Sequence, residues 1–105
     1  MKTVLRAFLA VLVLALVSTT YTFADGAADY KAKCAGCHGV NGAGDTAMGK
    51  TWKLKDLGSA EVQKQSDAEL TAIVTKGKGK MPPYDGKLTK DQINDVVKFI
   101  RTLKK

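Results

Sequence analysis

The sequence has few of the side chains that bind metals or cross-link a chain. Its 105 residues include two cysteines and one histidine, and all three lie within residues 34–38. A structural zinc site takes four Cys or His ligands, so a zinc site built on these residues would lack donors. No cysteine precedes position 34, which excludes a lipid anchor on an N-terminal cysteine.

Long apolar runs are also scarce, and the one that exists lies near the N-terminus. Lys2 and Arg6 precede the apolar residues 7–17, and the sequence STTYTFA that follows is polar and ends in a small residue. This order predicts a secretory signal peptide over residues 1–24, cleaved near Ala24, and an exported, periplasmic protein. A retained membrane anchor is the alternative, but it needs roughly 20 apolar residues, and residues 18–22 are all Ser, Thr or Tyr.

Residues 25–105, which would remain after cleavage, form one small domain. A domain of this size rarely buries enough apolar surface to be stable alone and usually needs a cross-link, a metal or a cofactor. Loss of Lys2 and Arg6 leaves 15 basic residues against 10 acidic ones, a net charge of about +5. This charge favours acidic partners.

The first half of the domain contains one predicted helix and one predicted loop. Ala28, Ala32 and Ala35 recur near helical spacing and predict a short helix that runs into the cysteines. Residues 39–50 contain four glycines and no periodicity, which predicts a loop. No segment alternates between apolar and polar residues as a strand should.

The second half has three predicted helix starts. Ser59 predicts the start of a two-turn helix. Ser66 and Thr89 predict two more, each with Glu or Gln three residues later as in a capping box. The last helix is amphipathic, with apolar residues at Ile93, Val96, Val97, Ile100 and Leu103. The sequence therefore predicts an all-α domain of three or four helices joined by substantial loops.

The stretch CAGCH, residues 34–38, carries the chemistry. Two cysteines at this spacing suit a thiol-redox motif, but that motif starts a helix after a strand, and no strand is predicted here. Another interpretation uses all three residues, because C-x-x-C-H is the attachment site of c-type haem. Cys34 and Cys37 would each add to one vinyl group of the porphyrin, and His38 would be the proximal iron ligand.

With this motif, the whole domain resembles a class I cytochrome c, the small soluble kind with a single haem. Gly26 and Tyr30 match the positions of the family's N-terminal helix that pack against its C-terminal helix, where Val96 and Phe99 match the partners. The resemblance implies a fold of three or four helices around one covalently attached haem c. It also implies electron transfer between redox proteins by a monomer without enzymatic activity.

The second axial ligand of the iron must be another side chain if it is not water, since the chain has no second histidine. Methionine is the family's usual choice and raises the reduction potential. Met48 lies ten positions after His38 and would have to double back around the ring. Met81 lies 43 positions after His38, and Pro82 and Pro83 stiffen the backbone beyond it. We predict Met81 as the distal ligand, in a segment, KGKMPPYDGKLT, that resembles the ligand segment of the family.

Further expectations concern the surroundings of the haem. The family commonly has a proline after the motif whose carbonyl accepts from the proximal histidine, and residues 39–45 contain none. Another backbone carbonyl of this loop is therefore expected to accept from Nδ1 of His38. Trp52 would either donate to a haem propionate or pack as a half-buried aromatic. The expected apolar wall consists of Leu54, Leu57, Val62, Leu70, Ile73, Val74, Pro82, Leu88 and Ile93.

Lysines dominate the predicted surface around the haem edge. They would attract redox proteins with acidic docking surfaces, and they are Lys31, Lys33, Lys50, Lys76, Lys78, Lys80 and Lys87. The stretch KGKGK, residues 76–80, also allows a solvated loop. A nucleic-acid partner is not expected, because aromatic residues are not interleaved and the protein is exported.

Three other functions are compatible with a haem motif. An open-iron haem enzyme or a gas sensor would lack the second axial ligand. A haem subunit of a larger oxidoreductase would share all of these sequence features. If His38 and Met81 fill both axial positions, no small-molecule substrate is expected.

Overall fold

The structure is a computed structural model that describes residues 23–105, and this part of the chain is helical. The helices are α1 Phe23–Lys33, α2 Ala35–His38, α3 Ala47–Thr51, α4 Ala60–Gln63, α5 Asp67–Lys76 and α6 Lys90–Thr102. These residues contain two isolated β-bridges but no strand. The all-α prediction is confirmed, with three long helices and three of about one turn. The predicted signal peptide lies almost entirely outside the described residues.

Side-chain caps start the helices of the second half at the predicted residues. The Ser59 hydroxyl accepts from the Val62 N–H, and the Ser66 hydroxyl accepts from the Glu69 N–H. Thr89 forms a complete capping box with Gln92. These caps satisfy N–H groups that a helix leaves unpaired at its start, so local sequence fixes where α4, α5 and α6 begin.

The predicted loop over residues 39–50 is wrong at its end, where α3 begins. The Thr46 hydroxyl accepts from the Gly49 N–H at 2.9 Å and so caps this helix. The same hydroxyl donates to the Cys37 carbonyl at 2.5 Å. This bond fixes the start of α3 against residues 34–38, the cysteine segment. The signal is weak in sequence because glycine occupies the position where a capping box has Glu or Gln.

The long helices α1 and α6 cross at a glycine. A Cβ atom at Gly26 would lie 2.3 Å from the Asp95 carbonyl oxygen, so a side chain there would push the helices apart. One turn later, Tyr30 is 1% exposed, and its ring centroid lies 4.7 Å from that of Phe99. Val96 is fully buried. The helix pair implied by the resemblance is therefore confirmed.

The buried apolar residues form one cluster that joins the long helices. Its members are Tyr30, Cys34, Val62, Leu70, Val74, Leu88, Ile93, Val96, Val97 and Ile100. The cluster is small, as expected for a domain that needs a cofactor. No helix of residues 23–105 is long and apolar enough to cross a membrane.

Arg101 fastens α6 to the end of α4 and the start of α5. Its guanidinium donates to the Gln63 carbonyl at 2.8 Å and to the Asp67 carboxylate at 2.9 Å. The Gln63 side-chain amide donates in turn to the carbonyls of Leu57 and Ile100, at 2.8 and 3.0 Å. This network includes neither the cysteine segment nor Met81.

Candidate functional site

The two cysteines and the histidine lie where α1 ends and α2 begins. Cys34 is the residue between the two helices, and its carbonyl accepts from the N–H groups of His38 and Cys37, at 3.0 and 3.2 Å. Cys34 is 7% exposed, Cys37 is half-buried, and both thiols are free. One short segment therefore brings both thiols and the imidazole together.

The environment of Cys34 disfavours thiol-redox chemistry. Burial raises the pKa of the Cys34 thiol to about 11, and negative charge on Asp29 and Cys37 adds to the rise. The thiol is therefore protonated at neutral pH. Redox-active cysteines instead have a lowered pKa, because the thiolate is the nucleophile.

The imidazole of His38 is in the state that a metal ligand needs. Burial lowers its pKa, so the ring is neutral at neutral pH. A neutral imidazole can bind a metal through one nitrogen. Its Nδ1 atom is buried and has no hydrogen-bond partner among the described residues.

The backbone carbonyl predicted to accept from Nδ1 of His38 is not in place. The carbonyls nearest in sequence accept from other donors: that of Cys37 from the Thr46 hydroxyl, that of His38 from the Gly44 N–H, and that of Gly39 from the Tyr30 hydroxyl. The prediction of a carbonyl partner for Nδ1 is therefore wrong for the described residues.

Met81 lies in a tight turn after α5. Lys78 and Met81 exchange two backbone hydrogen bonds, of 3.1 and 3.0 Å. Gly77, with a φ of +76°, lies against this turn, and a Cβ atom there would be 2.6 Å from the Met81 carbonyl oxygen. The Met81 side chain is partly buried against the core. Both the turn and its contact with Gly77 therefore hold the backbone of Met81.

Comparison with known proteins identifies the family. A family model described as cytochrome C oxidase, cbb3-type, subunit III matches residues 22–100. The chain is 36% identical to cytochrome c6 of Microcystis aeruginosa over 76 residues, which cover 72% of this chain and 90% of that one. Cytochrome c6 of Leptolyngbya boryana is 37% identical over 71 residues, covering 68% and 80% of the two chains. The chain belongs to the class I cytochrome c family.

A solved structure agrees with this assignment. The KustC0563 c-type cytochrome matches the fold with a TM-score of 0.72 at 32% identity, over 77% of this chain and 99% of that one. This cytochrome therefore carries one covalently bound haem c and functions in electron transfer. The family, the fold and the function predicted from the sequence are confirmed.

The cysteine segment of this cytochrome fits a covalently attached haem. Cys34 and Cys37 are free thiols with two residues between them, the spacing of the c-type attachment motif. His38 follows directly and has a neutral ring with a buried, unbonded nitrogen. A haem iron would be bound by the other ring nitrogen, Nε2, and Nδ1 would keep its proton.

Met48 and Trp52 are more exposed than Met81. Met48 lies on α3 and is 42% exposed, and Trp52 follows α3 directly and is 37% exposed. Met81, in contrast, packs on the core. This difference favours Met81 over Met48 as the ligand of a buried iron. The two roles of Trp52 remain predictions.

Most residues of the predicted apolar wall are buried. Val62, Leu70, Val74, Leu88 and Ile93 belong to the core cluster, and Leu57 packs against it. Leu54 and Ile73 are half-buried, whereas Pro82 is exposed. Pro82 therefore contributes stiffness to the segment after Met81 and no core packing within the chain itself.

Tyr84 is a site residue that the sequence did not indicate. Its hydroxyl donates to the Lys33 carbonyl, directly before Cys34, at 2.8 Å. Burial raises the pKa of Tyr84, and negative charge on Cys34 and Cys37 raises it further. An aromatic residue three positions after Met81 is the one sequence signal, and it does not reveal a partner 51 positions away.

Proposed function

We propose that Cys34 and Cys37 hold the haem through thioether bonds and that His38 and Met81 are the axial ligands of its iron. The observation that carries this proposal is the placement of two free thiols and the imidazole of His38 on one short segment with the C-x-x-C-H spacing, where the N–H groups of Cys37 and His38 both donate to the Cys34 carbonyl. The turn that holds Met81 on the core supports the choice of distal ligand. The haem, when bound, supplies an iron that alternates between the ferrous and ferric states.

The residues of the chain limit what this iron can do. With imidazole and thioether in both axial positions, no position is left for a substrate or a gas molecule, so we infer an electron carrier and not an enzyme. The apolar residues packed around Met81 exclude water. A dry environment favours the less charged ferrous form and raises the reduction potential.

The purified protein should contain low-spin, six-coordinate iron. We expect the ferric spectrum to show the weak charge-transfer band of a methionine–iron bond, and the mass to exceed that of the polypeptide by one haem. Visible spectra of both oxidation states and a mass spectrum measure this. High-spin ferric iron, together with rapid binding of carbon monoxide by the ferrous form, would contradict the proposed ligands and favour an open-iron enzyme or a gas sensor.

We propose an exposed set of lysines, the lysine rim, as the surface that docks redox proteins with acidic patches. Its members are Lys31, Lys33, Lys50, Lys76, Lys78, Lys80 and Lys87, all exposed. Lys78 and Lys80 both lie within three positions before Met81. The Lys87 ammonium lies 5.4 Å from the centroid of the Tyr84 ring. The four ion pairs of the described residues use other basic residues, so they leave the charge of the rim available.

Small charged oxidants should detect the lysine rim. At low salt, Lys80→Glu should slow oxidation of the ferrous protein by anionic hexacyanoferrate(III) roughly twofold to fivefold and should speed oxidation by cationic tris(phenanthroline)cobalt(III). Stopped-flow rates at increasing salt measure both effects, which should fade as salt rises. The control is Lys98→Glu, an exposed lysine of α6 outside the rim. Equal effects of the two substitutions would show that overall charge, and not the rim, controls the encounter.

We further propose an exported monomer that begins near Asp25. The N-terminal sequence pattern supports export. The description of the matching family model favours a second candidate, a haem subunit of a larger oxidoreductase. Fractionation separates the two: a free periplasmic protein of monomer mass supports the shuttle, and co-purification with a larger oxidoreductase supports the subunit.

A further inference from the structure

The break between α1 and α2 leaves the Lys33 backbone carbonyl without its usual helical donor. In a continuous α-helix the Cys37 N–H would donate to the Lys33 carbonyl. Here the Cys37 N–H donates to the Cys34 carbonyl instead, at 3.2 Å. The Lys33 carbonyl therefore needs another partner, and it lies directly before the first cysteine of the attachment motif.

The Tyr84 hydroxyl is that partner, and it comes from the segment that contains Met81. The hydroxyl donates to the Lys33 carbonyl at 2.8 Å, within the usual range of an O–H···O hydrogen bond. The Tyr84 ring is partly buried and packs against the core. Among the hydrogen bonds of residues 23–105, this is the one that joins residues 77–88 to α1 or α2.

The backbone of Tyr84 is fixed independently of its side chain. The Tyr84 N–H donates to the Val74 carbonyl at 3.0 Å, and the Asp85 N–H donates to the Thr75 carbonyl at 3.1 Å. These bonds tie the segment to the C-terminal end of α5. They hold Met81 relative to α5, but they do not hold it relative to the cysteine segment.

The chain between Met81 and Tyr84 is stiff. The rings of Pro82 and Pro83 fix the φ angles of these two residues. Neither residue has a backbone N–H that could change its hydrogen-bond partner. Gly77 limits movement from the other side, because a Cβ atom there would lie 2.9 Å from the Pro83 nitrogen. A stiff connection of two residues means that a shift of Tyr84 away from Lys33 also shifts Met81.

We propose that Tyr84 is a positioning residue, whose hydroxyl latches the Met81 segment to the end of α1, directly before Cys34, and so slows detachment of Met81 from the iron. The proposal rests on the proposed function, in which Met81 is the distal ligand. The latch joins the segment of the distal ligand to the segment of the proximal ligand and both cysteines, so it resists their separation. Tyr84 itself does not bind the iron.

Binding of imidazole to the ferric protein tests the latch. At saturating imidazole, the observed rate of imidazole binding equals the rate at which Met81 detaches from the iron. Imidazole can bind only after Met81 has left its axial position. Tyr84→Phe removes one hydroxyl and keeps the ring, so we expect this limiting rate to rise about threefold to tenfold, as the loss of one neutral hydrogen bond implies. The reduction potential should fall in the same variant, since a weaker methionine bond favours ferrous iron less.

A second variant separates the latch from general stability. Arg101→Gln removes guanidinium bonds that hold α6 and do not involve Met81. It should lower the thermal unfolding temperature at least as much as Tyr84→Phe, yet change the limiting imidazole rate less than twofold. An unchanged rate in Tyr84→Phe, or an equal increase in Arg101→Gln, would overturn the latch.

The failure of the ligand assignment would look different. If Met81 is not a ligand, imidazole should bind wild-type ferric protein without a limiting rate, and Met81→Ala should leave the spectrum unchanged. That outcome overturns both proposals. A limiting rate and a methionine–iron band in the wild type, with no response to Tyr84→Phe, would overturn the latch alone.

Discussion

Met81→Ala should lower the reduction potential by on the order of 100 mV and convert the ferric iron to high spin. Alanine cannot bind iron, so water or an open position replaces the thioether. The ferric state gains from a harder ligand, whereas the thioether favours the ferrous state. The methionine–iron charge-transfer band should disappear, and ferrous protein should bind carbon monoxide rapidly. Potentiometry with visible spectra measures all of these changes on one sample.

Met48→Ala is the matched control, since it removes the other methionine of the domain. Met48 lies on α3 and is 42% exposed, so its loss should change neither the spin state nor the charge-transfer band. The potential should stay within about 20 mV of the wild type, a small part of the range that axial ligands span. If Met48→Ala gives the high-spin form and Met81→Ala does not, the distal ligand is Met48, and the roles proposed for Met81 and Tyr84 are both wrong.

Local signals in the sequence predicted the helix starts, because each start depends on residues three positions apart. Ser59, Ser66 and Thr89 cap helices where the sequence places them. Thr46 does so too, but the glycine at the third position of α3 hides it. A cap is clearest in the sequence when Glu or Gln follows it three positions later, as after Ser66 and Thr89.

The face on which α1 packs was harder to predict. The alanines at 28 and 32 recur at helical spacing but are exposed, whereas Gly26 and Tyr30 are buried. Periodicity of small residues indicates a helix but not the side that meets a neighbour. The buried face was correct only through the resemblance to cytochromes c, which identified the glycine that lets α6 approach.

The motif predicted which residues lie together in the site, and distant partners were not predictable. Cys34, Cys37 and His38 are neighbours in sequence, so any fold brings them together. The hydrogen bond from Tyr84 spans 51 positions and depends on a helix break at Cys34. No local sequence pattern predicts either the bond or the break.

Cys34→Ala and Cys37→Ala should each leave most of the domain unfolded. The described residues bury only a small apolar cluster, in which Tyr30 and Val96 are the largest side chains that are fully buried. A domain with so small a core depends on its cofactor for most of its stability. Loss of a thioether weakens retention of the haem, so we expect little coloured protein and loss of most of the far-ultraviolet helical signal.

Gly36→Ala is the control for this prediction, because Gly36 lies between the two cysteines and takes no part in attachment. A Cβ atom at Gly36 would meet nothing within 4 Å, so the variant should attach haem and unfold at nearly the wild-type temperature. Wild-type protein made without the attachment apparatus should resemble the cysteine variants. If either cysteine variant without haem keeps a wild-type helical signal and unfolds cooperatively, the chain folds by its own core. The haem would then not be required for folding, although it would remain the redox group.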